Sequence, residues 1–527
     1  MMIWHIFKKD WTLLWRYAAG LAALHFSLMV SLLRLGRFQA PPLFDRFGFR
    51  GLAVSGDHTF YNLTTLFPGL SALVSAFLII AVVQQDAIPG VRQDWFVRPI
   101  RRRDLMLAKF LGVLVMVLAP IFAADLSGGL FNGFPMGQAL TAALGRSIWL
   151  WFSMFLAVFV LASLTRNLME AIVGSTVVAG VAFVWGMLRS SVPDFLNHDR
   201  INWIGELIHL SIILAGAAVV LCLQYYFRKT LPARVLTAGI VLLLLLVPGV
   251  PWQKAFAVEQ RLSPVSGSAN AVRLSFVPDH GVLGDRPVGP VQYGSRSDAF
   301  ILLPVRVTVS QYEAVVIGET SKVRLLLPDG QTQQLGLQMG FQIVNEAPAE
   351  GEKLISYVIR IPHSLYTRIA DQSIRVEIDY YLTLLSLVDK QTLPATGGDE
   401  RTRRLGWCGT KISDAGGEVL LGCIQAGPLP KCASFVLQHI PSGARNPRNA
   451  ICRPDYSPFR INYGPDALSR FTETLPFGDP AGIDTYPVKE PMLPESQVIA
   501  RVYEAKDHFV RQLAIPQIRL REWVASE

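Results

Sequence analysis

Apolar residues are distributed unevenly along this chain of 527 residues. Up to about residue 253 the sequence is a succession of long uncharged stretches. From Lys254 onward, charged residues, prolines and alternating patterns mix as they do in a globular protein. A bilayer core requires about 20 consecutive apolar residues in a helix. The pattern therefore predicts a membrane half, residues 1–253, followed by a soluble half, residues 254–527.

The membrane half contains seven apolar segments of suitable length. The third is the shortest, because only 15 residues separate Lys109 from Asp125. We expect Lys109 to extend its stem and to keep its ammonium group at the membrane interface. No small-residue cleavage site follows the first segment, which predicts a retained helix rather than a signal peptide. We therefore predict six to seven transmembrane helices, with spans at about 17–33, 67–85, 106–124, 147–165, 171–188, 207–227 and 235–252.

Basic residues predict the orientation of these spans. With the N-terminus inside, the inner segments carry thirteen lysines and arginines and the outer loops carry seven. Cytoplasmic loops hold the excess of positive charge in membrane proteins. An N-terminus in the cytoplasm and seven spans together predict that the soluble half lies outside the cytoplasm, in the periplasm or the extracellular space.

The five cysteines test the same orientation. Cys222 lies inside an apolar span, where we expect an inert packing residue. The other four lie in the soluble half, and their gaps of 14, 8 and 19 residues do not match the close pairs of a zinc site. Oxidising compartments favour disulfides, so two disulfides are predicted, with all three pairings open. The disulfide candidates are Cys408, Cys423, Cys432 and Cys452.

The soluble half shows mainly strand-like alternation. Along residues 372–387, Ile374, Val376 and Ile378 alternate with charged residues, which predicts a half-buried strand. The Pro-Asp-Gly sequence at 328–330 predicts a turn between two strands. Residues from about 395 to 492 are rich in Gly, Pro and Cys and predict long, disulfide-stapled loops. The sequence from 495 to 514 has helical periodicity and predicts a C-terminal helix.

Composition and motifs exclude several functions. Hydrophobic residues make up 51% of the chain and charged residues 17%, whereas a soluble protein carries about 25% charged residues. The net charge of +9 arises at the ends of apolar runs, so we predict no nucleic-acid partner. The sequence has no phosphate-binding loop, no H-E-x-x-H zinc motif and no G-x-S-x-G elbow. We therefore predict no catalytic residues, no metal site and no enzymatic activity of the chain itself.

Ionisable residues inside the spans bear on transport. The uncharged runs retain only His25 and His209 as titratable groups. Pumps driven by protons or ions usually carry buried Asp, Glu or Arg along their path. The pattern therefore disfavours a secondary transporter. The histidines of the soluble half are scattered and predict surface or hydrogen-bonded residues: His280, His363, His439 and His508.

The segment DWFVRPIRRRDLMLAK, residues 94–109, concentrates positive charge between the second and third spans. It contains the pattern W-x-x-R-P-I-x-R-x-x-L-x-x-A-K, and the chain begins with the amphipathic segment MMIWHIFKKDWTLLWR. Over residues 1–235 the chain resembles the permease subunits of ABC exporters of the ABC-2 type (type V exporter-like). In that family an interfacial helix precedes six spans, and the loop after the second span docks on a separate ATPase subunit. The seventh span and the large soluble half depart from the family pattern.

This resemblance implies a fold, partners and a site. The fold is an α-helical membrane bundle plus a C-terminal, mainly-β extracytoplasmic domain. The partners are an ABC ATPase subunit, a second permease in a homodimer or pseudo-dimer, and the lipid bilayer of the inner (plasma) membrane. The chain binds no cofactor, and the partner hydrolyses ATP. The implied coupling loop is 86–105, with Trp95 as an anchor, Pro99 as a helix break and the following site residues: Asp94, Trp95, Arg98, Pro99, Arg101, Arg102, Arg103 and Lys109.

Two other interpretations remain for this sequence. The arginines could serve only as a positive-inside anchor, although such an anchor needs neither the proline nor the Asp-Trp pair. The whole chain could also be a membrane-anchored extracytoplasmic receptor or binding module without transport activity. The residue pattern specifies no substrate and no direction of transport.

Overall fold

The computed structural model of the chain contains an α-helical part followed by a domain of three β-sheets. The helical part extends to residue 246, and the β domain occupies residues 267–524. The structure describes residues 2–35, 58–86, 101–190, 202–246, 252–265, 267–278, 298–346, 352–413, 416–427, 430, 432–446, 449–452, 467–478 and 486–524.

The helices follow the predicted apolar segments. Three of the helical stretches continue through a short π-helical turn, at Leu114–Leu118, Trp151–Phe155 and Cys222–Tyr226. The helices are α1 (Met2–Leu35), α2 (His58–Gln84), α3 (Arg102–Val113), α4 (Ala119–Phe131), α5 (Met136–Leu150), α6 (Leu156–Leu164), α7 (Leu168–Ser190), α8 (Asn202–Leu221), α9 (Thr230–Leu246), α10 (Trp252–Leu262) and α11 (His363–Ile369).

Five of the described helical stretches are long and apolar enough to cross a membrane. Two further apolar stretches, Leu168–Val178 and Thr230–Leu245, are shorter. The prediction of an apolar helical bundle is therefore confirmed in its coarse form. The five long stretches are Met2–Leu33, Phe67–Gln84, Arg103–Phe131, Met136–Leu164 and Leu207–Tyr226.

The first helix differs from the expected interfacial segment followed by a span. α1 runs without interruption for 34 residues, which is about 51 Å at 1.5 Å per residue. A bilayer core is about 30 Å thick. Residues Met2 to Arg16 therefore belong to the same rigid helix as the span itself.

The third span is longer than its uncharged run. α3, the π-helical turn and α4 form one continuous helical stretch from Arg102 to Phe131. Asp125, which ended the uncharged run, lies inside α4 and is buried. The run ended too early because its limits were set by charged residues, and Asp125 is paired within the bundle instead of lying at its edge.

The β domain consists of three antiparallel sheets. Their strand orders are β1-β2-β5, β11-β10-β13-β6-β3-β4 and β12-β9-β8-β7. The strands are β1 (Val272–Phe276), β2 (Asp298–Val309), β3 (Ala314–Leu326), β4 (Thr332–Asn345), β5 (Glu352–Pro362), β6 (Ser373–Pro394), β7 (Asp399–Thr402), β8 (Gly406–Ile412), β9 (Glu418–Ala426), β10 (Cys432–His439), β11 (Asn449–Cys452), β12 (Leu468–Pro476) and β13 (Ser496–Arg519).

Two long strands connect two hydrophobic cores. β6 has 22 residues and β13 has 24, and they pair along almost their whole length. One half of this pair packs on the three-stranded sheet, through residues such as Ile378 and Leu513. The other half packs on the four-stranded sheet, through residues such as Leu393 and Val498. The β domain is therefore a pair of sandwiches that share the six-stranded sheet.

The predicted strand and turn are confirmed. In β6, Ile374, Val376 and Ile378 are buried, while the charged residues between them are exposed or half-buried. The turn at 328–330 joins β3 to β4, and Gly330 adopts a φ of 81° there. Only glycine takes this left-handed conformation without strain.

Two other predictions for this half are wrong. The predicted C-terminal helix is strand β13, because β6 and β10 pair with it on both sides and this pairing outweighs helical periodicity. Pro516 lies at a register shift in that strand, where no ladder hydrogen bond is lost. The segment from about 395 to 492 contains six strands, β7 to β12, rather than only long loops.

α10 packs on the β domain. Trp252 and Phe256 form a small buried cluster with Tyr381 of β6, and Ser263 hydrogen-bonds His508 of β13. The boundary predicted between residues 253 and 254 falls inside this helix. Its aromatic face orients the start of the β domain relative to the preceding chain.

Candidate functional site

A buried group of charges joins the first three helices of the membrane half. We call it the base cluster: Lys9 and Asp10 of α1, Asp86 two residues after α2, and Lys109 of α3. The Lys109 Nζ atom lies 2.8 Å from Asp10 Oδ2 and 2.7 Å from Asp86 Oδ2. Lys9 Nζ lies 2.6 Å from the other oxygen of Asp86. Two lysines thus neutralise two aspartates contributed by three separate chain segments.

Burial makes these contacts energetically important. The side chains of Lys109 and Asp10 are 1% and 0% exposed, and that of Asp86 is 12% exposed. Buried ions lose their hydration, so removal of one partner from such a pair typically costs about 3–5 kcal/mol. Lys9, which is 44% exposed, closes the cluster on its solvent side. The prediction that the Lys109 ammonium group extends to the membrane interface is therefore wrong.

The base cluster lies at both ends of the segment that carries the implied coupling residues. Asp86 precedes residues 87–100 and Lys109 follows them. Asp94, Trp95, Arg98 and Pro99 lie outside the described residues. At the start of α3 the side chains of Arg101 and Arg103 are exposed, whereas that of Arg102 is outside the described set. Of the implied site residues with described side chains, which are Arg101, Arg103 and Lys109, only Lys109 belongs to the cluster; Asp86, the first residue of loop 86–105, also belongs to it.

A second buried ion pair lies near the other end of the α3–α4 stretch. Both carboxylate oxygens of Asp125 accept hydrogen bonds from Arg146 Nη1 of α5, at 2.9 and 2.7 Å. We call this contact the hairpin pair, because α4 and α5 are the arms of a helical hairpin. Both side chains are at most 8% exposed. Arg146 is one of the seven basic residues that the sequence assigns to the outer loops, and its burial inside the bundle removes it from that number.

His25 and Ser71 add a polar contact between α1 and α2. The Ser71 hydroxyl and His25 Nε2 are 2.9 Å apart and buried. One turn further along α1, Met29 packs against Gly128 of α4. Asp10, Lys109, Asp125 and Arg146 are thus all buried inside the bundle. The expectation that only histidines are titratable inside the bundle is wrong. The uncharged runs end at charged residues by definition, so they cannot include an Asp, Lys or Arg that is buried between helices.

The hairpin ends in a turn that contacts the β domain. Phe134, in the turn between α4 and α5, is buried in one cluster with Ile424 of β9 and Leu468 of β12. Gly133 adopts a φ of 78°, and a Cβ atom on it would lie 3.4 Å from the indole nitrogen of Trp407. We call these contacts the turn interface. It includes a hydrogen bond of 3.0 Å from Arg401 to Gln138 of α5.

Two disulfides stabilise the β domain. Cys408 pairs with Cys423 and Cys432 pairs with Cys452, which confirms two disulfides in this half and identifies their pairing. Trp407 faces Ile424 across the β8–β9 ladder, in the register position next to Cys408 and Cys423. The first disulfide therefore joins the two strands whose neighbouring residues form the turn interface. Cys222 is exposed on its helix, so its predicted packing role is wrong.

A buried carboxylate also occurs in the β domain. Glu346, after β4, accepts hydrogen bonds from Arg501 and Tyr503 of β13 and from Ser434 of β10. Burial and the adjacent Glu346 carboxylate raise the pKa of Tyr503 well above its ordinary value. Tyr503 therefore remains a hydrogen-bond donor at every physiological pH. This group ties together strands of the six-stranded sheet, and we assign it a structural role.

The described residues contain no group of three or more His, Cys, Asp or Glu side chains that could hold a metal ion. Three histidines of the β domain have structural contacts. His439 hydrogen-bonds Ser442 in a turn, His508 hydrogen-bonds Ser263, and His363 contacts Tyr366 within α11. His280 lies outside the described residues. The chemistry present in the described site is ion pairing between helices.

Comparison with known proteins identifies no family for the chain. No protein-family profile matches the sequence, and no curated protein matches it. Among solved structures, the crystal structure of red sea bream transglutaminase aligns with 46% of this chain and 31% of that chain, at 11% identity and a TM-score of 0.12. A likeness this slight transfers neither a fold nor an activity.

Proposed function

We propose that the chain is the permease subunit of an ATP-driven ABC exporter and that it couples to a separately encoded ATPase through loop 86–105. The observation that carries this proposal is the base cluster. It attaches Lys109 to α1 by a buried ion pair with Asp10, and it attaches Asp86 to α1 by an ion pair with Lys9. A helix that only anchors a domain in the membrane has no need of this costly arrangement.

The cluster gives the loop a rigid base. A force applied to the loop reaches Asp86 and Lys109, and both are bonded to residues of α1. α1 is a single helix of 34 residues and α3 continues into α4, so displacement at the loop moves whole helices. Bundles respond in this manner because packed helices shift as rigid bodies. The resemblance of the sequence around Trp95, Arg98 and Pro99 to ABC-2 permeases supports the same assignment.

The proposed topology places the loop in the cytoplasm and the β domain outside. About 35 Å of helix separates Lys109 from the turn that begins at Asn132, which is close to the thickness of a bilayer core. The base cluster and the turn interface therefore suit opposite membrane surfaces. Removing buried Lys109 and Arg146 from the charge tally leaves twelve inner and six outer basic residues, so the bias is unchanged. The inner (plasma) membrane is the proposed location.

The proposed assembly contains two permeases and an ATPase. A homodimer, or a pseudo-dimer with another permease, would present two coupling loops to the ATPase subunits. This chain binds no cofactor in the proposal, because the partner binds and hydrolyses ATP. The lipid bilayer is the remaining partner, and the exposed side chains of Arg101 and Arg103 suit contact with anionic lipid phosphates.

Co-purification tests the proposed function. The tagged full-length chain, solubilised from cells that express its neighbouring genes, is expected to retain an ATPase. Trp95→Ala and Arg98→Gln should abolish that retention and the ATP hydrolysis of the complex, while membrane insertion is unchanged. Lys229→Gln is the matched control, since it removes a basic residue outside the loop. Full ATPase retention by both loop variants would refute the coupling assignment.

Labelling tests the proposed topology separately. After mild reduction of intact cells, a membrane-impermeant thiol reagent should reach the four cysteines between Cys408 and Cys452. Labelling that occurs only after lysis would reverse the orientation. The alternative of an anchored receptor or binding module predicts the same labelling but no retained ATPase, so the two experiments together separate the interpretations.

A further inference from the structure

The turn interface connects the membrane hairpin to the β domain through side chains from both parts. On the membrane side, Phe134 is 4% exposed, although it lies in a surface turn between two helices. On the β side, Ile424 and Leu468 are each 2% exposed. An aromatic side chain in a turn that projects from a bilayer becomes this buried only when another part of the chain covers it. The interface is thus a packed contact and not a loose tether.

The contact is rigid on each of its two sides. Gly129 of α4 and Ala139 of α5 pack so closely that a Cβ atom on Gly129 would lie 2.8 Å from that of Ala139. The hairpin pair Asp125–Arg146 joins the same two arms. On the β side, the disulfide of Cys408 adjoins Trp407 in register. These contacts stiffen the hairpin and the sheet on the two sides of the turn.

The hairpin also reaches the base cluster. Lys109 lies in the same continuous helical stretch as Phe131, the last residue before the turn. No loop interrupts the helical stretch between Lys109 and the turn, so a shift of α3 at its cytoplasmic end also moves the turn. Coupling between distant sites needs such a contiguous element that has defined positions at both ends.

We propose that the turn interface transmits movement of the α3–α4 stretch to the β domain, so that the β domain is the element on which ATP-driven work is performed. The direction of this coupling rests on the proposed function. The α4–α5 turn displaces the four-stranded sheet through Phe134 and Trp407, and the six-stranded sheet moves with it because the two sheets share a core. The second attachment, α10 on β6, is the pivot.

Distances between spin labels test the proposal in the full-length chain with its co-purified ATPase, reconstituted in lipid nanodiscs. Cys222→Ser removes the free thiol. Labels at Ile440→Cys in the β domain and Leu231→Cys in α9 occupy positions that are 59% and 73% exposed. The expected result is a distance distribution that shifts between the nucleotide-free state and the state trapped with ATP and vanadate. Phe134→Ala and Trp407→Ala should each abolish the shift while the ATPase remains bound.

Control variants separate the possible failures. Phe131→Ala removes an aromatic side chain that is 72% exposed beside the turn, and it should preserve the shift. Phe134→Ala leaves the sequence of the β domain unaltered, so it remains informative even if Trp407→Ala disturbs folding of the sheet. A bound ATPase with no shift in the parent protein would overturn the transmission proposal alone, as would a shift that survives both interface variants. Absence of any bound ATPase would instead refute the proposed function.

Discussion

The two buried ion groups of the membrane half differ in what they connect. The hairpin pair joins residues 21 positions apart on the two arms of one helical hairpin. The base cluster joins Asp10 to Lys109 across 99 positions, and it also includes Asp86 beside the loop. The first group is local and fixes the shape of one supersecondary unit. The second group is long-range and fixes how three helices are placed around a loop.

This difference explains why the two groups have different chemistry. Arg146 donates a hydrogen bond from its Nη1 atom to each oxygen of the single Asp125 carboxylate. Lys109 is a compact charge on a flexible stem and bridges two carboxylates from different segments. A bridging lysine tolerates small rearrangements of its partners. The base cluster can therefore hold three chain segments together while its partners adjust slightly.

The largest effect is expected from Lys109→Met. This change leaves Asp10 and Asp86 buried opposite each other with only Lys9 to neutralise them, and it should destabilise the protein by about 3–5 kcal/mol. Thermal unfolding in detergent, followed by tryptophan fluorescence, measures the loss. The charge-balanced double variant Asp10→Asn with Lys109→Met should recover much of the stability, because the remaining Lys9–Asp86 pair is neutral. Equal stability of the single and double variants would show that the charges do not interact.

A large but more local effect is expected from Arg146→Met. Asp125 then loses the guanidinium group that pairs with it, and the cost should again be about 3–5 kcal/mol for breaking a buried pair. Hydrogen exchange should increase mainly in α4, α5 and strands β9 and β12, which contact the turn. Lys109→Met should instead increase exchange in α1 and α3. If the two variants had identical exchange maps, the distinction between a local pair and a long-range cluster would be lost.

A moderate effect is expected when the first disulfide is removed. The pair Cys408→Ser and Cys423→Ser opens a short loop, and such a disulfide is typically worth about 2–4 kcal/mol. Because the bond lies beside Trp407, limited proteolysis should become faster in β8 and β9 than in the three-stranded sheet. Removal of the Cys432–Cys452 bond is the matched comparison, and it should leave the turn interface protected. If limited proteolysis of β8 and β9 were as slow in both variants as in the parent protein, the first disulfide would not contribute to the stability of the turn interface.

The smallest effect is expected at Glu473 of β12, the strand that carries Leu468. Burial raises the pKa of Glu473 in the folded state above its usual 4.5. The folded state thus binds a proton more readily than the unfolded state, and stability decreases as the pH rises from that value through the folded pKa. Glu473→Gln should therefore be slightly more stable than the parent at neutral pH and equal to it in acid. A stability difference that does not depend on pH would contradict this origin.

Sequence patterns identified the helices and several strands because both rest on local periodicity. The seven apolar segments and the alternation of Ile374, Val376 and Ile378 with charged residues depend on positions close together in the chain. The ion groups were missed for a physical reason: a charged residue looks like the end of a span until its partner is known. Asp10 and Asp125 can be recognised as members of buried ion pairs only when the positions of Lys109 and Arg146 on neighbouring helices are known.

The same limit explains the error at the C-terminus. The sequence around Val498 and Tyr503 satisfies a helical pattern, yet it pairs with β6 on one side and β10 on the other. Such pairing joins residues far apart in the chain, and local propensity does not report it. The turn interface was equally hidden, because nothing near Phe134 indicates contact with a strand almost 300 residues away. One available signal was an aromatic side chain beside glycine in a short turn between apolar helices.

The position of the first disulfide has a consequence for the order in which the protein matures. Trp407 and Ile424 occupy their final places opposite each other only when β8 and β9 are joined, and Cys408 and Cys423 make that junction covalent. The helical hairpin, by contrast, can form as soon as its residues enter the bilayer. The turn would thus form before the β8–β9 pair that covers it, and thiol oxidation would then lock that pair in register.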